Sequence, residues 1–100
     1  MTLDSIMRDI EAMREDLLMF ERKYSVPTEV FYQAYQQGEE PDDSAWVADW
    51  SQWAGSYQIL QARLAQYNAA VHDLLQGANF DNVSQLIART ARHEPVAIPG

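Results

Sequence analysis

The chain has 100 residues, no cysteine and a formal net charge of −8, which suits a single domain and excludes disulfide staples and thiol chemistry. Residues 1–77 hold 13 acidic and 5 basic side chains, so the whole negative surplus lies on that part of the chain. Such a body repels phosphate backbones, whose binding needs clustered Lys and Arg, and it attracts basic proteins.

Nucleic acid is therefore not an expected partner. No stretch approaches the ~20 apolar residues that cross a bilayer. Asp4, Arg8 and Asp9 interrupt the first apolar positions, where a secretory signal needs a continuous run. The expected setting is soluble and cytoplasmic, with no membrane partner.

In the first segment Leu3, Ile6, Ile10, Met13, Leu17, Phe20 and Tyr24 recur at alternating spacings of three and four. That is an unbroken heptad seam, and it predicts a helix over about 3–24. Ser25-Val26-Pro27-Thr28-Glu29 reads as a break and restart, because proline disfavours a helical residue before it and suits a first turn. A second, short helix is expected over about 27–37, with Val30, Phe31, Ala34 and Tyr35 as its apolar face and Gly38 as a left-handed cap.

Glu39, Glu40, Asp42 and Asp43 make the following connection acidic, and Asp42, Asp43 or Ser44 can cap the next helix. From there Trp46, Trp50, Trp53, Tyr57, Leu60, Leu64, Tyr67, Val71 and Leu74 form a longer seam, predicting a helix over about 44–76 that Gly77 ends. At ~1.5 Å per residue such a helix reaches on the order of 45 Å. Beyond it, residues 78–100 predict a short helix around Val83, Leu86 and Ile87, begun by Asp81, and a mobile tail broken by Pro95 and Pro99.

The expected fold is all-α. Two long heptad-patterned helices run antiparallel with a short helix between them over 1–77. A two-helix hairpin cannot cover both sides of a seam with three tryptophans, and soluble monomers rarely leave several hundred Å² of apolar strip open. A helical bundle formed by a homodimer or higher oligomer is the expected answer, with the residues from Trp46 to Val71 as core or dimer seam.

The same helix has a second pattern. Ala48, Ser51, Gly55, Ala62, Ala65 and Ala69 lie at helical spacing away from the aromatic seam. They are either helix-forming residues on a solvated face or a surface that a second helix approaches closely.

Catalysis finds no support in the residues. His72 and His93 belong to neither an HExxH nor a Glu-x-x-His arrangement. The acidic connection lacks the alternating ligands, glycine and closing glutamate of a calcium loop. No phosphate-cradling glycine motif is present, and the tryptophans are flanked by Asp42, Asp43 and Asp49 rather than by the cations that stacked nucleic acid requires. No enzyme activity and no cofactor or metal are expected; packing and protein contact are the expected roles of the aromatics.

Phe20-Glu21-x-Lys23-Tyr24, Glu29-x-Phe31-Tyr32, Tyr35, Gly38-Glu39, Asp42-Asp43 and Trp53-Ala54-Gly55-x-Tyr57 form one ordered series over about residues 17–60. This series resembles small acidic helical proteins of bacteria and archaea that are encoded beside putative toxins and regarded as antitoxin components. That family often has glycine near Ser25. The resemblance implies a protein-binding partner that neutralises a cognate toxin, often a nuclease, and the acidic surface suits a basic toxin. The expected contact residues are Glu39, Glu40, Asp42, Asp43, Ser51, Gly55 and Ala62, with Phe80, Leu86 and Ile87 beyond the hairpin. The alternative is a homo-oligomeric coiled-coil scaffold or adaptor with no toxin partner.

Overall fold

The computed structural model describes residues 2–77 and 83–91, leaving out the side chains of 89–91. It is all-helical: α1 (Leu3–Tyr24), α2 (Thr28–Gln36), α3 (Val47–Gly77) and α4 (Val83–Ala91), with one 3₁₀ turn (Ser44–Trp46) leading into α3. The long α3 is the spine, and α1 and α2 pack against it.

Helix α1 begins in a reciprocal cap. Thr2 Oγ1 accepts from the Ser5 amide at 3.2 Å, and Ser5 Oγ accepts from the Thr2 amide at 3.1 Å. Two of the donors that a helix start leaves unpaired are thereby satisfied. The helix ends at Ser25, which adopts φ 56°, a left-handed conformation that side chains other than Gly, Asn and Asp seldom take.

The break that follows is held by side chains rather than by proline alone. Pro27 is the extended residue just before α2 (φ −62°, ψ 144°) rather than its first helical residue. Glu21 Oε2 accepts from the Thr28 amide at 2.9 Å, so a carboxylate of α1 caps the positive end of α2. At the other end Gly38 has φ 87°. The Gly38 amide donates to Tyr35 O and the Glu39 amide to Ala34 O, both at 3.1 Å. That paired arrangement closes a helix on a left-handed residue, as expected for this glycine.

The third helix starts later than its seam. Asp43 Oδ1 accepts from the Ala45 amide at 2.9 Å, and the chain makes a 3₁₀ turn before α3 proper begins at Val47. Trp46 consequently sits on the turn, 37% exposed, with its ring edge-on to Tyr24. Within the chain Trp46 is therefore not among the buried seam residues, because the acidic turn sets its direction before the helix does.

Four contacts give the antiparallel register of α1 and α3. Lys23 meets Asp49, Phe20 stacks on Trp53, Ser56 donates to Asp16, and Arg63 meets Asp9. Residue numbers fall on one helix as they rise on the other. Ion pairs lie at both ends of this register, each with a partner exposed to solvent, so they align the helices more than they stabilise them.

The core is built around Trp53, which is 1% exposed. Its indole lies flat on Phe31, with centroids 3.9 Å apart, and is stacked by Phe20 and Tyr24 at 5.7 Å. Trp53 Nε1 donates to Oγ1 of the equally buried Thr28 at 3.0 Å. Helices α1, α2 and α3 therefore converge on one side chain. Leu17, Phe31, Ala54 and Leu60 complete the cluster, while Trp50, Tyr57 and Leu64 pack at its border.

The seam residues Trp53 and Leu60 are buried by α1 and α2 of the same chain, so their burial needs no second copy. Trp50, Tyr57, Leu64, Tyr67 and Val71 are half-buried along the same side.

Candidate interaction surface

The acidic connection leaves the scaffold uncovered. Glu39, Glu40, Asp42 and Asp43 are all exposed, and none of them forms an ion pair among the described residues. The turn leads directly into Trp46 and Val47, which are 37% and 55% exposed. Four carboxylates and two large apolar side chains thus share one edge of the hairpin. That combination can draw in a cationic surface and then exclude water from the contact.

A polar clasp closes the same end of the hairpin. Asp49 accepts from Lys23 Nζ at 2.6 Å and from the Tyr24 hydroxyl at 2.5 Å. The Lys23 bond, followed by the Tyr24 bond, holds the Asp49 carboxyl below its ordinary value of 3.8. Lys23 is raised by the same bond. Tyr24 is raised first by loss of solvent and then by donating to Asp49.

These directions fix a pH window. A depressed carboxylate contributes above about pH 4, and its contribution is lost as the pH falls through the lower native value. The raised Lys23 and Tyr24 contribute below about pH 10 and lose that contribution as the pH rises through their native values. Asp49→Asn should therefore lower the urea midpoint near pH 7, and its effect should fade as the pH falls through the lowered native value of the carboxyl. A deficit that persists unchanged in acid would show that the charge is not what the clasp uses.

The small-residue face of α3 is solvated within the chain. Ala48, Ser51, Ala62, Ala65 and Ala69 are exposed and Gly55 is half-buried. A methyl group built on Gly55 meets nothing within 4 Å. Gly55→Ala should accordingly raise stability by about 1 kcal/mol through helix propensity, read as a higher thermal midpoint. A lower midpoint would mean that another helix occupies the face in solution.

The small residues that do matter for packing are Ala54, Ser56 and Ala70, which are 2%, 6% and 3% exposed. Sequence reasoning missed them. Ala54 lies four residues after Trp50 and three before Tyr57, whose rings meet Phe31 and Tyr32 of α2. Ser56 faces α1 through its 3.4 Å bond to Asp16. A strict heptad drifts by about 20° per repeat on a straight helix, so the buried face departs from any single seam.

Of the expected contacts beyond the hairpin, Phe80 lies outside the described residues. On α4 Leu86 is half-buried and Ile87 is 58% exposed. Among the described residues no group of His, Asp or Glu is arranged to hold a metal, and no helix is long and apolar enough to cross a membrane.

Fold and surface together define an all-helical hairpin of α1 and α3 with the short α2 packed against it and an acidic, partly apolar edge. Compared with known proteins, the chain matches no family model, no curated protein and no solved structure.

Proposed function

We propose that this chain is a protein-binding component that neutralises a basic partner by direct contact, in the manner of an antitoxin. The observation that carries the reading is the edge formed by Glu39, Glu40, Asp42 and Asp43 with the exposed Trp46 and Val47. Exposed carboxylates accelerate encounter with a cationic surface, and a half-exposed tryptophan is the residue type that most often anchors such contacts. The resemblance over about residues 17–60 supplies the kind of partner, a toxin, with a nuclease as the chemistry that would present a basic face.

The test is coexpression with the product of the adjacent reading frame. The expected result is relief of growth arrest and a complex that survives affinity purification. Replacing Glu39, Glu40 and Asp42 with lysine should slow association steeply at low salt and abolish capture, while leaving the helical signal unchanged because these three side chains are exposed and Asp43, which caps the turn into α3, is kept. An adjacent product that is harmless and does not co-purify would count decisively against the toxin reading. A second reading, a homo-oligomeric helical scaffold, is favoured by the outer face of α1.

A further inference from the structure

Helix α1 turns a stripe of four side chains away from α3. Glu15, Leu18, Met19 and Arg22 line a shallow groove there together with Lys23. Leu18 and Met19 are 44% and 51% exposed, an adjacent pair of large apolar residues on the back of the hairpin. Lys23 is committed to Asp49. Glu15 and Arg22 are exposed and form no ion pair among the described residues.

Residues three, four and seven apart share one helix face, so the four form a rhombus. Leu18 and Met19 lie side by side at its centre. Glu15 is one turn towards the N-terminus and Arg22 one turn towards the C-terminus, each about 5 Å from the centre along the axis.

This pattern is self-complementary under one operation only. If a second copy is laid against the stripe with its α1 antiparallel, a two-fold axis through the Leu18–Met19 pair brings like apolar residues together. Glu15 then faces Arg22 of the second copy, and Arg22 faces its Glu15. A parallel arrangement would place Glu15 on Glu15 and Arg22 on Arg22, and repulsion would oppose it.

We propose that the back of α1 is a homodimer surface, in which two copies pack antiparallel about Leu18 and Met19 with reciprocal Glu15–Arg22 pairs. Such an isologous contact needs only one patch on the chain and closes on itself. A single helix crossing is smaller than a standard stable interface, and each copy carries a charge of −8, so the dimer is weak and concentration-dependent. The surface lies on the face of α1 opposite α3 and does not depend on the foreign-partner reading.

The experiment is sedimentation equilibrium of the full chain from about 10 μM to about 1 mM, the range in which weak interfaces associate. The wild type should pass from monomer to dimer. Glu15→Arg and Arg22→Glu should each weaken the dimer about tenfold, because each reverses two symmetry-related pairs. The double variant E15R/R22E should restore it, and Leu18→Glu should abolish it. Helical content should be unchanged throughout, since all four side chains are exposed.

A wild type that stays monomeric across the range overturns the proposal, as does a dimer indifferent to the charge reversals. A monomer that captures a coexpressed partner only while Leu18 is intact also overturns it, by assigning the stripe to a foreign protein.

Discussion

Trp53→Ala is expected to remove most of the fold's stability. Truncating a buried aromatic costs about 3–5 kcal/mol through lost transfer energy and the cavity left behind. Here the ring is 1% exposed and stacks on Phe20, Tyr24 and Phe31, which come from two different helices. Aromatic pairs add about 0.5–1.5 kcal/mol beyond their area. Small domains have only about 5–15 kcal/mol in total, so the variant should be largely unfolded or melt at a much lower temperature. Far-ultraviolet circular dichroism through a urea titration reads this directly. A midpoint shift worth less than about 1 kcal/mol would show that the aromatic stack is not the centre of the core.

The second large effect concerns the polar end of the same side chain. Thr28 is 1% exposed and its Oγ1 is the acceptor for Trp53 Nε1. Valine at position 28 has nearly the same shape but no acceptor, leaving a buried N–H unpaired. That state costs about 1–3 kcal/mol. The backbone amide of residue 28 and its bond to Glu21 are untouched by the change, so the capping of α2 is not lost with it. Thr28→Ser keeps the oxygen and should cost only the methyl group, about 0.8 kcal/mol.

A double-mutant cycle isolates the bond. In a Trp53→Phe background there is no N–H to satisfy, and Thr28→Val should then be nearly neutral. Equal penalties in both backgrounds would mean that valine is disfavoured for its shape rather than for its missing oxygen.

Much of this core can be read from the chain itself. The alternating three and four spacing of Ile6, Leu17 and Phe20 marks the buried side of α1, and Trp53 and Leu60 mark that of α3. Gly38 ends α2 as its backbone freedom suggests. Other features leave little local trace. Ser25 takes a left-handed conformation without being glycine, and Glu21 caps a helix to which it does not belong. Ala54, Ser56 and Ala70 are buried although their composition is that of a solvated helix face. Small side chains carry little hydrophobic signal, so their burial is decided by which neighbour comes close.

The acidic edge illustrates both sides of this division. Its charge follows from Glu39, Glu40, Asp42 and Asp43 as a local run, and Asp43 among them caps the turn into α3. That it continues into an exposed tryptophan does not follow, because the 3₁₀ turn at Ser44–Trp46 lifts Trp46 off the seam that its spacing suggests.

By itself the sequence determined what short-range physics governs: all-helical segments, their breaks, and the acidic balance of the first 77 residues. Only the tertiary structure decided that three helices meet on one indole, that Thr28 supplies its acceptor, and that Leu18 and Met19 remain outside. The physical reason is that periodicity states which face of a helix is apolar, whereas the neighbour that covers each residue is fixed by the register between helices. Contacts up to 54 residues apart in the chain set that register.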